Sequence, residues 1–294
     1  MTTATTPTTQ TLDVPGATLA YDVRSNDSST EPILFLIGWP MGAAGFGTLA
    51  GHFTDRIVMT YDPRGSERSQ KTDPMSPSTP DDHADDLHRL IQTVGGGPVD
   101  LFASSGGAVN ALALVAKHPE EVRTLVAHEP PIADLLPDRD AALAASRAFH
   151  ETYMRHGFGA GMAHFIVLSS HKGPLPDGWA DNPPPDPAMF GLPTEDDGSR
   201  DDPLLGQNPE SGSAHYQPDF DAIRAAPTRI VIGAGAESEG ELTHRAARAV
   251  AERLDTELVI FPSHHGGFLG GEYGYAGEPD AFAAKLRAVL ASSA

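Results

Sequence analysis

Two adjacent serines, Ser104 and Ser105, lie where an apolar segment gives way to a helical one rich in small residues. The segment Val99–Ala103 predicts a short buried strand, because it is apolar and bounded by turn-forming residues. The segment Gly107–Lys117 predicts a helix that stops before a proline. A serine between them would sit on a tight strand-to-helix turn, which is the setting of a nucleophile elbow.

The residues around the two serines indicate which one is the nucleophile. The turn has room only for small residues two positions before and two positions after the serine. Centring the turn on Ser105 puts Ala103 and Gly107 at those positions, whereas centring it on Ser104 puts Phe102 at one of them. We therefore predict Ser105 as the nucleophile. The helix N-terminus beneath it would present free N–H groups and a positive dipole to a developing oxyanion.

Four further segments at the ends of apolar runs accompany this turn in a fixed order. They are Leu36–Gly42, Tyr61–Ser69, His128–Pro131 and Phe261–Phe268. In this order, the five segments resemble the α/β-hydrolase superfamily over nearly the whole chain from about residue 12. The resemblance implies a mostly parallel sheet of the eight-stranded type, flanked by helices, with an inserted helical lid.

The resemblance also implies a general base and an oxyanion hole. Its spacing of an apolar strand, Pro, a small residue, any residue, His and Gly selects His265 as the base, with the adjacent His264 as the alternative. The oxyanion hole would be formed by the backbone N–H groups of Trp39 and Gly106. Ile37 replaces the histidine that usually precedes the glycine of the first motif, which leaves the backbone donor intact.

The acid of the expected triad is the point where the chain departs from the superfamily pattern. No aspartate follows the strand-like run before residue 233, and the usual position falls near Ala236. Glu237 comes one residue later and 28 residues before His265, so it is the predicted acid. Glu239 is an alternative. Glu129 is another, because some superfamily members carry the acid at the end of the strand before the lid.

Apolar runs alternate with helical patterns along the chain, which predicts a parallel sheet covered on both faces. We expect a disordered tail over 1–11 and a core formed by 12–131 and 218–294. The segment 132–217 begins with two helical stretches, Ala141–His156 and Ala160–Ser170. It continues as a run rich in Pro, Gly and Asp that suits neither a central strand nor a long helix, so we interpret it as the lid.

The lid and the loop after residue 40 supply the predicted substrate pocket. Its residues are Met41, Phe149, Tyr153, Met162 and Phe165. The alternative for the four lid residues is that they form the hydrophobic core of the lid itself. Asp62 and Arg64, in a motif with Glu67 in place of its second glycine, are interpreted as structural supports of the loop beneath the site.

Charge and composition limit the classes of molecule that we expect the chain to bind. The net charge of −20 repels phosphate backbones and anionic lipids, so we expect no nucleic-acid or membrane partner. The chain has no cysteine, which excludes disulfides, thiolate catalysis and cysteine-bound metals. We interpret Asp81–His88 as a solvated acidic helix start and expect no metal and no cofactor. Without a signal peptide or an 18-residue apolar run, a cytoplasmic location is expected.

These residues indicate a serine hydrolase that cleaves a small apolar ester, thioester or lactone through an acyl-enzyme. A cofactor-free perhydrolase or haloperoxidase, a carbon–carbon bond hydrolase and a biosynthetic tailoring enzyme would use the same residues. A non-catalytic ligand-binding protein on this fold is the alternative of a different class. The sequence leaves open the substrate, the acyl acceptor, the acid and whether the chain forms a homo-oligomer.

Overall fold

A mostly parallel β-sheet organises the chain, which the computed structural model describes over residues 6–26, 28–95 and 97–292. The strands in this part of the chain are β1 (Thr8–Val14), β2 (Ala17–Arg24), β3 (Leu34–Ile37), β4 (Val58–Tyr61), β5 (Gln70–Lys71), β6 (Val99–Ser104), β7 (Val122–His128), β8 (Arg229–Gly235) and β9 (Leu258–Phe261). Their order is β1-β2-β4-β3-β6-β7-β8-β9, with β5 beside β2. The pairs from β4 through β3 to β9 are parallel, and those made by β2 are antiparallel.

Helices cover both faces of the sheet. They are α1 (Gly47–Gly51), α2 (Pro80–Val94), α3 (Gly106–Lys117), α4 (Arg139–Ser169), α5 (Phe220–Ala225), α6 (Leu242–Leu254) and α7 (Pro279–Ala291). The strands alternate between two hydrophobic clusters, as the period of two requires. On β3, Phe35 and Ile37 pack with α2, α3, α5 and α6, whereas Leu34 and Leu36 pack with α1 and α7. The predicted α/β class with a parallel sheet is thereby confirmed.

The N-terminal region differs from the expected disordered tail over 1–11. Residues 1–5 lie outside the described part of the chain, but Thr8–Thr11 belong to β1, which pairs antiparallel with β2 from Thr8 opposite Val23 to Val14 opposite Ala17. Gly16 turns the chain between the two strands with φ 79°. The tail prediction is therefore wrong from Thr8 onwards. The threonine-rich composition that suggested a tail also favours an exposed strand once a partner lies beside it.

A long segment between β7 and β8 forms its own hydrophobic cluster. Its main element is α4, which is two helices joined at a kink where Gly157 has φ 80° and ψ −173°. The two helical stretches expected on either side of this glycine are thus present. The Pro-rich run that follows contains only short 3₁₀ turns within the described residues, at Trp179–Asp181, Pro187–Phe190 and Pro209–Ser211. That this segment acts as a lid stays a prediction.

Within the residues that the structure describes, none of the helices has both the length and the apolar character needed to cross a bilayer.

Candidate active site

The ends of three neighbouring strands bring the candidate residues to one edge of the sheet. Ser104 pairs in register with His128, and His128 pairs with Gly233. The next residues on the first two strands are Ser105, whose N–H donates to the carbonyl of His128 at 2.9 Å, and Glu129, whose N–H donates to the carbonyl of Gly233 at 2.9 Å. Ser105 and Glu129 therefore leave adjacent parallel strands side by side.

Backbone strain is concentrated at these strand ends. Ser105 has φ 58° and ψ −131°, and Glu129 has φ 50°. Ser263, in the loop after β9, has φ 66°. Positive φ is disfavoured for residues other than glycine, and such conformations cluster where function requires a particular side-chain direction. At Ser105, the sharp turn carries the side chain out of the strand before α3 begins, as the residues flanking the serine predict.

A buried carboxylate, that of Glu129, contacts the imidazole of His265. A short hydrogen bond joins Nδ1 of His265 to Oε2 of Glu129, whose side chain is 0% exposed. The other donors to this carboxylate are the N–H of Gly235 at 2.9 Å, the hydroxyl of Thr243 at 2.8 Å and, through a short bond, the hydroxyl of Ser238. A buried carboxylate with this many donors is held firmly in its ionised form and in one orientation.

Hydrogen bonds and nearby charges shift the pKa values of Glu129 and His265 in opposite directions. Burial by itself would raise the pKa of Glu129, but its hydrogen bonds and the neighbouring imidazoles hold that pKa well below the ordinary value. Burial by itself would lower the pKa of His265, but the hydrogen bond and charge of Glu129, with the charge of Glu241, raise it above the ordinary value. Near neutral pH, Glu129 is therefore ionised, and its charge favours the protonated form of His265.

The predicted acid, Glu237, does not contact His265 in the structure, so this prediction is corrected in favour of Glu129. Glu237 is exposed, and among the described residues its carboxylate is hydrogen bonded only by the hydroxyl of Ser263, at 3.4 Å. Its backbone N–H donates to the carbonyl of Ser263 at 3.0 Å, which fixes the turn after β8 with the side chain outward. The alternative Glu239 is exposed as well. The physical reason is that the turn after β8 donates Gly235 N–H and the Ser238 hydroxyl to Glu129 instead of offering a carboxylate of its own.

The second histidine of the pair, His264, is engaged within its own loop. Its Nδ1 accepts the N–H of Gly266 at 3.0 Å, and its Nε2 lies 3.3 Å from the carbonyl oxygen of Ala276. Of the two adjacent histidines, His265 is thus the one that meets the buried carboxylate. A third imidazole, that of His128, lies 6.1 Å from His265 between ring centroids, and burial lowers its pKa to about 4, so it is a neutral core residue.

The two residues whose backbone N–H groups are predicted as oxyanion donors, Trp39 and Gly106, lie against each other. A Cβ at Gly106 would come within 2.5 Å of the Trp39 ring and 3.2 Å of the Trp39 carbonyl, and a Cβ at Gly107 within 2.7 Å of the Gly38 Cα. The loop after β3 therefore rests directly on the first turn of α3, which only glycines permit. In the part of the chain that the structure describes, neither Trp39 N–H nor Gly106 N–H donates a hydrogen bond to the protein. Their role as oxyanion donors stays a prediction.

Asp62 supports the loop that carries Trp39. Its carboxylate accepts the N–H of Ala43 at 2.8 Å and pairs with Arg68, whose Nε lies 2.5 Å away. Arg64, from the same motif, forms a two-pronged ion pair with Asp86 at 2.6 and 2.7 Å. These contacts agree with the structural role expected for Asp62 and Arg64. Glu67 adopts φ 49° at the position where the motif usually has glycine.

The predicted pocket residues fall into two groups. Tyr153 is fully buried, its hydroxyl accepts the Asp202 N–H at 3.1 Å and Arg200 lies over its ring, so these contacts favour the alternative that it belongs to the hydrophobic core of the inserted segment. Phe149, 9% exposed, meets Phe165 edge to face at 5.5 Å within the inserted segment's own cluster. Met162, against the same cluster, and Met41, beside Gly38, are partly buried. A pocket role for these last four residues stays a prediction.

The residues that sequence reasoning missed are hydroxyls contributed by distant segments. Ser238 and Thr243 both donate to Glu129. Ser213, from the inserted segment, is buried, and its Oγ lies 3.1 Å from where a Gly106 Cβ would be. Nothing in the local sequence marks any of the three, because small hydroxyl residues are common in loops. For Ser238 and Thr243, the only indication in the sequence was that they follow β8, the strand after which the acid was expected.

Comparison with known proteins identifies relatives of the chain and of its fold. A family model described as the alpha/beta hydrolase fold matches residues 31–223. The chain is 30% identical over 272 residues to the uncharacterized hydrolase YraK of Bacillus subtilis (strain 168), covering 88% of this chain and 89% of that protein. Its fold is similar to that of a thermophilic esterase from Thermogutta terrifontis, with a TM-score of 0.63, 19% identity and coverage of 97% and 98%. It is also similar to MGS-M2, an alpha/beta hydrolase from a Medee basin deep-sea metagenome library, with a TM-score of 0.67, 17% identity and the same coverage.

Proposed function

This chain belongs to the α/β-hydrolase family and is a hydrolase, and from that premise we propose that it cleaves a small apolar ester, thioester or lactone through a triad of Ser105, His265 and Glu129. The observation that carries the proposal is the contact between His265 and the buried carboxylate of Glu129, beside the strained turn at Ser105. A serine on such a turn, a histidine and a buried acid are the parts of nucleophilic acyl transfer.

The first step forms an acyl-enzyme. Because Glu129 occupies Nδ1 of His265, the imidazole carries its proton there and leaves Nε2 free to accept the hydroxyl proton of Ser105. The Ser105 oxygen attacks the carbonyl carbon, and the N–H groups of Trp39 and Gly106 stabilise the oxyanion. His265 then returns the proton to the leaving alcohol or thiol. Water, deprotonated by the same imidazole, releases the acid and restores Ser105.

The inserted segment, residues 132–217, is proposed as a lid over this site. Ser213 belongs to it and lies against Gly106, so the segment reaches the oxyanion donors. Apolar side chains, the buried Phe149 and the partly buried Phe165, Met162 and Met41, would then face a small apolar acyl or alcohol group. A lid of this kind excludes water from the oxyanion hole, where each donor acts more strongly.

A non-catalytic ligand-binding protein is the second candidate class. Its main support from the sequence was the missing acid after β8. The engagement of His265 by Glu129 favours the catalytic proposal instead, since a vestigial site has no need of an ionised buried carboxylate with four donors.

Covalent labelling tests the proposal and does not require the natural substrate. We expect a fluorophosphonate to add one equivalent to the wild type, detected by intact mass, because an activated serine beside oxyanion donors attacks the phosphorus. The Ser104→Ala variant should be labelled like the wild type, and Ser105→Ala should not be labelled. Labelling that persists in Ser105→Ala, or that is absent from the wild type, would contradict the proposal.

The pH dependence of hydrolysis is expected to report His265. The base works only when neutral, and its pKa lies above the ordinary value of about 6.5. Activity is therefore lost as the pH falls through that raised pKa, so the acid limb of kcat/KM for a short p-nitrophenyl ester should have its midpoint above about pH 6.5. Glu241→Gln removes one of the charges that raise this pKa and should move the midpoint to lower pH. The matched variant Glu239→Gln, at an exposed carboxylate, should leave it unchanged; equal midpoints in all three proteins would refute the assignment.

A further inference from the structure

Two imidazoles and a carboxylate meet at the end of the sheet opposite Ser105. Helix α3 starts next to Ser105 and ends at Lys117, about 18 Å away along its axis. His118 follows that helix, and Glu121 closes the 3₁₀ turn Pro119–Glu121 after it. His88 faces them from the neighbouring helix α2. His118 and Glu121 thus share one turn of the chain, His88 comes from a different helix, and none of the three takes part in the proposed triad.

The geometry of this His88–His118–Glu121 cluster suits a single small cation. Nδ1 of His88 lies 2.7 Å from Oε1 of Glu121. The rings of His88 and His118 stack with centroids 4.0 Å apart and an angle of 11° between their planes. One ligand atom from each residue can be chosen so that all three lie within 4.8 Å of one another. A four-coordinate ion with ligands at about 2.0–2.1 Å needs them roughly 3.3 Å apart, so the two stacked imidazoles would have to rotate to bind it together.

An unpartnered carboxylate oxygen points to a missing ligand. The side chain of Glu121 is 5% exposed, and its Oε1 is hydrogen bonded by both His88 and the amide of Gln92, which donates at 2.6 Å. Its other oxygen, Oε2, is buried and accepts no hydrogen bond from the residues that the structure describes. A buried acceptor without a donor is costly, and more so on a charged group. A cation at Oε2 would remove that cost, while Gln92 would orient the carboxylate.

The aspartates of the run Asp81–His88 do not contribute ligands to this cluster. Asp82 caps α2 through Thr79, and Asp86 pairs with Arg64. Asp81 and Asp85 both lie beside Lys117, at 3.1 and 3.3 Å. The carboxylates of the run are thus engaged elsewhere, and His88 alone among its residues turns to the cluster.

We propose that His88, His118 and Glu121 bind a divalent cation of the zinc class, with water completing the coordination. Imidazole nitrogens with one carboxylate are ligands that such ions accept, whereas Mg²⁺ and Ca²⁺ prefer oxygen ligands. The ion would join α2 to the turn after α3 and so stabilise the fold, at a distance from Ser105. His88 is 33% exposed, which leaves a path for the ion from solvent.

Zinc titration of the chelator-treated full chain tests this site. We expect one equivalent of Zn²⁺ to bind in isothermal calorimetry, a rise in Tm with Zn²⁺ but not with Mg²⁺, and visible d–d bands of four-coordinate Co²⁺. His88→Asn and Glu121→Gln should each weaken Zn²⁺ binding by roughly 10–100-fold or more, since even outer partners of metal ligands contribute that much.

The control variant is His156→Asn, which removes an exposed histidine on α4 and should bind Zn²⁺ like the wild type. Circular dichroism and fluorophosphonate labelling of each variant establish that it is folded. Absence of Zn²⁺ binding by the wild type would overturn the proposal. Undiminished binding by folded His88→Asn and Glu121→Gln proteins would overturn it equally, because the ion would then lie elsewhere.

Discussion

Replacing Ser105 by alanine is expected to lower kcat for a short p-nitrophenyl ester by about 10⁶-fold, because removal of the nucleophile disables the whole triad at once. The oxyanion donors Trp39 and Gly106 would remain, so a small residual rate above the uncatalysed reaction should persist. Alanine also fits the strained turn at φ 58° no worse than serine does, so the fold should survive. Steady-state kinetics at saturating ester, with Tm as the measure of folding, checks this prediction.

Ser104→Ala is the matched control for that experiment. Ser104 is the last residue of β6, is 2% exposed and carries the same hydroxyl one position away. Its removal should leave kcat within a few-fold of the wild type, since its side chain does not stand on the turn. If the Ser104→Ala variant were inactive and the Ser105→Ala variant active, the nucleophile would be Ser104 instead.

The second large effect is expected from Glu129→Gln, which should lower kcat by about 10⁴-fold. The amide has the shape of the carboxylate but no charge, so it neither stabilises the imidazolium of His265 nor fixes the tautomer with the proton on Nδ1. It would also present N–H groups to a site that already holds the donors of Gly235, Ser238 and Thr243. Some loss of Tm is therefore expected as well.

Because Glu129→Gln disturbs both stability and chemistry, a second measurement separates the two. The acid limb of the residual activity should move to lower pH than in the wild type, since the carboxylate that raises the pKa of His265 is gone and burial then dominates. A merely structural role would lower Tm without moving this limb. We expect near wild-type kcat from Glu237→Gln and Glu239→Gln, which change exposed carboxylates. A severe loss of kcat in either variant would instead assign the acid to the turn after β8.

Several elements could be predicted from the sequence because their causes are local. The alternation of buried apolar runs with helical patterns indicated the parallel sheet, and the gap between the two predicted helical stretches falls at the kink in α4. The strand β1 was missed, since its exposed, threonine-rich residues become a strand only when β2 lies beside them. Pairing partners far apart in sequence leave no local signal.

The choice of Ser105 over Ser104 as the proposed nucleophile needs only the sequence. Steric room at a strand-to-helix turn depends on residues two positions away, so Phe102 and Gly107 were enough to favour Ser105 over Ser104. Which carboxylate contacts His265, and so which one is proposed as the acid, was decided only by the tertiary structure. Glu129 and Glu237 both follow strands that neighbour one another, and either carboxylate suits the chemistry. What separates them is that β7 brings Glu129 beneath His265, where distant hydroxyls and a backbone N–H compensate its buried charge, while the turn after β8 directs Glu237 into water.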